Sequence, residues 1–310
     1  MKKVLIAAPV HKVLLDGLAK VGYNTVISEN ILQEEAFEQV AEYAGIITST
    51  RLHIDKTMID AAKRLEWIGR MGSGMEIIDV NYAQTKGIKC YSSPEGNANA
   101  VAEHAIGLLL SLSKRITSSA AEVKQGKWLR DANRGFELEG KTIAIIGLGN
   151  TGRAFAKKLS SFSMNILAYD KYVTDIVPSY VQCVDSFERI FSEAEIISFH
   201  VPLQDDTYYY FNEDFLSKFL KPIIVLNTSR GLIVNTEVLY KGLMAGKVKA
   251  AGLDVLEQEP LNEVGVRLRE TLDKMLVLPQ VLITPHIAGY SYEAVYKMSE
   301  VLLSKIVISS

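Results

Sequence analysis

Cysteine is almost absent from this chain. Cys90 and Cys183 are the two in 310 residues. They lie far apart and lack metal-ligand spacing, so neither a disulfide framework nor a metal site is expected, and a reducing cytoplasm is the expected setting. A surplus of either charge is missing too. The 34 Lys and Arg against 36 Asp and Glu leave a net charge of −2, whereas a nucleic-acid partner would call for a basic excess. No apolar run approaches the roughly 20 residues of a membrane helix, so no membrane partner is expected. The apolar stretch at 4–10 follows Met1, Lys2 and Lys3, but His11 and Lys12 break it and no small-residue cleavage site follows. It reads as a first buried strand rather than a secretory signal. What remains is ordinary globular composition, 48% hydrophobic and 23% charged, which excludes long disorder, collagen and coiled coil. A chain of this length is expected to form two domains, because a single core stops growing near ~250–300 residues.

Short apolar runs alternate with helical spacing. Strands are expected at 4–8, 24–28, 45–49, 67–70 and 88–91, and helices at 14–20, 33–43, 56–64 and 80–86. This alternation predicts a parallel sheet covered on both faces. A long helix is expected over 99–124, with Gly107 as its one weak break. Its length suits a connector between two sheets. The charged loop at 126–140 carries Trp128 and Phe136, either as a subunit contact or folded on its own domain. A second series follows, with strands at 142–146, 165–169, 195–200, 223–226, 250–255 and 281–284 and helices at 151–162, 186–192, 212–219, 237–245 and 292–308. The fold class is α/β, with two parallel-sheet domains.

The sharpest motif is Gly147-Leu148-Gly149-Asn150-Thr151-Gly152. An apolar strand precedes it, a helix follows, and Asp170 stands 18 residues after Gly152. Gly147 permits a tight turn, Gly149 lets the backbone approach a pyrophosphate, Gly152 allows close packing, and the helix N-terminus holds the anion. The Asp170 carboxylate suits a ribose hydroxyl and repels a 2′-phosphate, which favours NAD over NADP. Lys171 beside it weakens that preference slightly. A second constellation sits at strand ends: Arg230 after Asn227-Thr228-Ser229, Glu259 before Pro260, and His286 after Thr284-Pro285. A guanidinium can hold a carboxylate and polarise a carbonyl. A histidine can pass a proton near neutral pH, and a carboxylate beside it favours the imidazolium. Of the other histidines, His104 is expected to be buried and structural, and His200 to shape the cofactor wall. His53 carries no assignment, and His11, which follows the first strand and could border a cleft, is expected at the surface.

These residues resemble the D-isomer-specific 2-hydroxyacid dehydrogenases over nearly the whole chain. The motifs at 147–152, 227–231, 252–260 and 284–289 carry the resemblance, with 70–74 and 101–105 in support. It implies two Rossmann-like or flavodoxin-like domains, with the cofactor domain at 99–286 inserted into a substrate domain of 1–98 plus 287–310. It implies NAD as cofactor and a small anionic 2-oxo or 2-hydroxy acid as substrate. Arg230 is then the substrate-binding and carbonyl-polarising residue, His286 the acid/base, and Glu259 its partner. Cofactor contacts carry over to Asn150, Thr151, Asp170, Val201, Pro202, Thr207, Thr228, Ser229 and Asp254. The backbone of Met71, Gly72, Ser73 and Gly74 would grip the substrate carboxylate. The long helix would contribute to a homodimer contact.

Glu259 argues against formate dehydrogenases, which replace it with an amide. The segments 93–97, 126–128 and 139–141 look most like the 3-phosphoglycerate dehydrogenase branch. Ser49 stands where that branch commonly places a phosphate-holding arginine, and Arg51 and Arg70 are the substitute charges, with Arg130 or Arg134 reaching across a dimer. A glyoxylate, hydroxypyruvate or D-lactate type of reductase is the equal alternative. An NAD-sensing, corepressor-like binding protein is the alternative of another class. With the sequence ending at Ser310, no regulatory third domain is expected.

Overall fold

The computed structural model describes residues 1–172 and 177–308. Ser309 and Ser310, assigned above to the substrate domain, lie outside the described residues. The chain divides into two compact units. One comprises Met1–Ala98 with the segment from Gly289 onward, the other Asn99–Ala288.

The first unit is built on β1 (Lys2–Ala7), β2 (Tyr23–Ile27), β3 (Tyr43–Thr48), β4 (Trp67–Arg70) and β5 (Lys89–Ser92). All pairings are parallel, in the order β2-β1-β3-β4-β5. Every residue of β3 and β4 is buried, as expected of strands covered on both faces. Its helices include α1 (Lys12–Lys20), α2 (Gln33–Gln39), α3 (Lys56–Ala61), α4 (Val80–Thr85) and the C-terminal helix Tyr292–Ile308. Asp55 and Asp79 start α3 and α4 by accepting from the Met58 and Tyr82 amides, a cap worth ~1 kcal/mol. The register sets Thr48 beside Arg70 and Arg70 beside Ser92, so the strands end level at their carboxyl edge.

Among the described residues, the second unit carries seven parallel strands: β6 (Thr142–Ile146), β7 (Asn165–Tyr169), β8 (Val181–Cys183), β9 (Ile196–Phe199), β10 (Ile223–Asn227), β11 (Val248–Leu253) and β12 (Val281–Ile283). Their order is β12-β11-β10-β9-β6-β7-β8. The chain runs outward from β6 to β8, then returns to place β9 on the other flank of β6. The carboxyl end of β6 is therefore the switch point at which open α/β sheets bind ligands. One core, with Phe199, Phe211, Phe215 and Phe219, covers one face. A second, with Leu109, Phe155, Leu159 and Leu226, covers the other.

The expected helix over 99–124 is two helices, α5 (Pro94–Ser113) and α6 (Ile116–Lys124). Pro94 opens α5, where its missing N–H costs nothing. The break falls at Arg115, not at Gly107. Arg115 is left-handed, with φ 55°. Its Nε donates to Asn133 Oδ1 at 3.0 Å, and the Phe136 N–H donates to the Ser113 carbonyl at 2.9 Å. The loop at 126–140 thus returns to fill the helix end. It also separates the two loop aromatics: Phe136 packs on its own unit with Lys141 over its ring, while Trp128 is 83% exposed.

The remaining helices are α7 (Asn150–Leu159), α8 (Glu188–Glu193), α9 (Glu213–Ser217), α10 (Thr236–Met244), α11 (Val266–Leu276) and α12 (Tyr292–Ile308). The pattern reading did not anticipate β8 or α11. The first is a three-residue edge strand, and the second is a charged surface helix that buries Leu272 and Met275. No helix among the described residues is long and apolar enough to cross a membrane.

Candidate active site

The glycine turn leaves β6 at the switch point, and each glycine has its own reason. Gly147 has φ 94°, and a Cβ there would lie 2.6 Å from the His200 carbonyl oxygen. A Cβ on Gly152 would lie 2.0 Å from the Gly147 carbonyl oxygen, so α7 packs on the turn only because that atom is missing. At Gly149 a Cβ would meet nothing within 4 Å. Here the glycine leaves open space in front of α7, whose N-terminus has no side-chain cap. Exposed first-turn amides facing open space suit an anionic phosphate. The Thr228 Oγ1 is also buried without a protein partner. The residues therefore fit a dinucleotide.

Asp170 follows β7. One oxygen accepts from the Leu148 amide at 2.6 Å and the other from Tyr172 N at 2.8 Å, which locks the carboxylate to the glycine turn. Lys171 is held away by an ion pair with Asp206 at 2.6 Å. Val201 lies against Gly147. The Thr207 hydroxyl donates to the Pro202 carbonyl and accepts from Gln204 N, both at 2.7 Å, so its side chain braces the loop after β9. His200 is buried behind the turn. Its Nε2 pairs with Ser198 Oγ at 2.8 Å while Nδ1 has no partner. Burial pushes the imidazole down to about 4, so it is neutral at physiological pH.

The loops after β10, β11 and β12 carry the three reactive side chains. Asn227 is fully buried. Its amide donates to the Arg230 carbonyl at 2.8 Å, and its Oδ1 accepts from the Ser229 N–H and hydroxyl. The Arg230 guanidinium donates to the Ser229 carbonyl at 2.6 Å. A Cβ on Gly231 would lie 1.8 Å from the Leu256 carbonyl oxygen, so the loop of Arg230 presses directly on the loop of Glu259.

His286 stands in the left-handed region, φ 54°, at a cost of ~1–2 kcal/mol for a residue with a Cβ. Its Nδ1 pairs with Glu259 Oε2 at 2.7 Å. Partial burial would raise the Glu259 carboxyl. The His286 hydrogen bond, the Leu256 N–H and the charges of His286 and Arg230 outweigh it, and the group sits below the ordinary carboxylate value.

Asp254, expected to touch the cofactor, is 1% exposed. Its carboxylate accepts from the Thr284 hydroxyl at 2.6 Å and from the amides of Ile287 and Ala288 at 2.9 and 2.7 Å. Its side chain therefore holds the His286 turn.

Sequence reading missed Glu257 and Tyr209. Glu257 accepts from the Thr236 amide at the start of α10 and from the Tyr209 hydroxyl. Burial and that bond push the Tyr209 phenol up. Asn227 carried a signal, as a polar residue in an apolar strand.

In the first unit, Arg70 is buried at the end of β4 and donates to the Met71 carbonyl at 2.5 Å. The Met71 amide is taken by Thr48 O and the Gly72 amide by Ser93 Oγ. Among the described residues, the amides of Ser73 and Gly74 donate to no protein acceptor. Gly72 has φ 147°. Arg51 is exposed, and its guanidinium is engaged by Asn30 Oδ1 and the Glu29 carbonyl. His11 caps α1 and packs edge-on against Tyr296, and His53 is exposed.

A doubly wound parallel sheet with this turn at its switch point defines a dinucleotide-binding, Rossmann-type protein. The family model for "D-isomer specific 2-hydroxyacid dehydrogenase, NAD binding domain" matches residues 106–288, and the chain belongs to that family. It is 36% identical over 307 residues to a D-3-phosphoglycerate dehydrogenase of Archaeoglobus fulgidus, covering 98% of this chain and 56% of that protein. It is 37% identical over 283 residues to a hydroxypyruvate reductase of Thermotoga maritima, covering 91% and 89%. The chain thus spans about half the length of the phosphoglycerate dehydrogenases it matches. Among solved structures, the TT0316 protein of Thermus thermophilus superposes with a TM-score of 0.86 at 28% identity, covering 98% of this chain and 96% of that one.

Proposed function

We propose that this chain is an NAD-dependent D-2-hydroxyacid dehydrogenase that interconverts a small 2-oxo acid and its 2-hydroxy acid. The observation that carries this reading is the His286–Glu259 pair at 2.7 Å, with the loop of Glu259 pressed against the loop of Arg230. When bound, the nicotinamide supplies or accepts the hydride. Arg230 holds the substrate and stabilises the charge that grows on its carbonyl oxygen. Glu259 takes Nδ1 of His286, which leaves Nε2 to pass the proton to that oxygen in reduction.

Arg51 is already engaged by Asn30 and Glu29, which favours an acid without a phosphate. The resemblance to D-3-phosphoglycerate dehydrogenases favours one with it. The chain is further proposed to pair as a homodimer, on a surface where Val123 and Leu129 stand about half exposed beside Trp128. Its two unpaired cysteines fit a cytoplasmic setting.

The test is NADH oxidation against glyoxylate, hydroxypyruvate, pyruvate and 3-phosphohydroxypyruvate. Turnover of at least one is expected, and the phosphorylated acid decides between the branches. Tight NADH binding with no turnover of any would overturn the reading in favour of a sensor.

A further inference from the structure

His104 stands on α5 and Thr284 just after β12, 180 residues apart, yet His104 Nε2 lies 2.8 Å from Thr284 Oγ1. The Thr284 hydroxyl has one proton, and its 2.6 Å contact with Asp254 Oδ1 uses it, since an ionised carboxylate can only accept. The Thr284 oxygen must therefore accept from His104, which carries its proton on Nε2. That assignment holds for the neutral and the charged ring alike. His104 Nε2 also lies 3.4 Å from Asp254 Oδ1.

Asp254 is the hub of the turn that presents His286. Its backbone carbonyl accepts from the His286 amide at 2.9 Å, and its carboxylate accepts from the next two amides, Ile287 and Ala288. A carboxylate this buried is tolerated only where donors surround it. If the Thr284 hydroxyl were lost, Asp254 would lose one of its three close donors. If His104 were lost, the Thr284 hydroxyl could rotate away. A carboxylate free to turn no longer fixes the Ile287 and Ala288 amides, nor the left-handed residue that precedes them.

We propose that His104 and Thr284 are positioning residues for His286. The His104 ring aims the Thr284 hydroxyl at Asp254, and Asp254 in turn holds the left-handed turn that sets the His286 ring against Glu259. Neither side chain touches substrate. The proposal rests on the acid/base role given to His286, but the geometry of the turn can be read without it.

The test uses two pairs of variants of the whole chain. Thr284→Val removes the hydroxyl at nearly constant shape, and Thr284→Ser restores it. His104→Phe removes the donor, and His104→Gln keeps an N–H. Displacement of a reacting group by about 1 Å costs up to ~10²-fold. Thr284→Val and His104→Phe should therefore lower kcat about tenfold to a hundredfold with little change in the KM for NADH, while Thr284→Ser and His104→Gln recover most of the rate. Amide hydrogen exchange at Ile287 and Ala288 should quicken in Thr284→Val and return in Thr284→Ser, with the β10 amides unchanged.

Unchanged exchange at Ile287 and Ala288 in Thr284→Val overturns the proposal. So does equal loss of protection across the whole unit, which would mark a general packing role. If the wild type turns over no 2-oxo acid, the proposed function fails, and the exchange rates still decide whether the network holds the turn.

Discussion

Nδ1 of His286 lies 2.7 Å from Oε2 of Glu259, and the Leu256 N–H holds the other oxygen of that carboxylate at 2.8 Å. The carboxylate is clamped from both sides, so it fixes which ring nitrogen is available. Glu259→Gln replaces an acceptor-only carboxylate by an amide that can also donate, so the proton on Nδ1 is no longer fixed. Turnover of the 2-oxo acid should fall by up to ~10²-fold with the Kd for NADH nearly unchanged. Turnover equal to the wild type would exclude Glu259 from the proton path.

Removal of either reactive side chain should affect chemistry and spare the cofactor. His286→Ala should lower turnover ~10²–10⁴-fold, and Arg230→Ala ~10²–10³-fold. Titration of NADH fluorescence should give nearly the wild-type Kd in both. Normal turnover in both variants contradicts the assignment.

The glycine turn makes a contrast within one motif. A Cβ on Gly152 would strike the Gly147 carbonyl, whereas one on Gly149 would meet no protein atom. Gly152→Ala should destabilise the fold by ~1–3 kcal/mol through overpacking. Gly149→Ala should leave the urea midpoint near the wild type while raising the Kd for NADH. Equal stability of the two variants would show that the turn is not packed as described.

His200 gives the stability a pH dependence whose sign follows from burial. The folded protein holds the neutral ring, with its value pushed down to about 4. The unfolded chain takes up a proton below about 6.5. This contribution is complete above pH ~6.5 and is lost as the pH falls toward 4, by ~3 kcal/mol. His200→Asn cannot titrate, so its urea-unfolding free energy should lack that part of the slope between pH 4 and 6.5. Parallel slopes in the two proteins would refute the assignment.

Much of the fold was legible because its signals are short-range. The strands over 142–146 and 165–169 and the last helix over 292–308 were expected with the bounds observed. Apolar runs of that length, bounded by glycine or charge, have few other solutions. The single helix over 99–124 was misread because nothing local marks Arg115. Its left-handed conformation depends on Asn133 and Phe136 from the returning loop. Arg51 looked like free charge near a strand end, and only its neighbours Asn30 and Glu29 show that it is engaged.

By itself, the amino-acid sequence determined the alternation of strands and helices, the glycine turn, and the residue types able to bind an anion or move a proton. Each of these is set by neighbours a few positions away. Tertiary structure decided which of two nearby carboxylates serves His286. Glu257 turns to Tyr209 and the start of α10, and Glu259 is left for the imidazole. It also turned Asp254 inward and brought His104 to Thr284. Those choices depend on contacts between segments 21 to 180 residues apart, and no local pattern records which partner a side chain will meet.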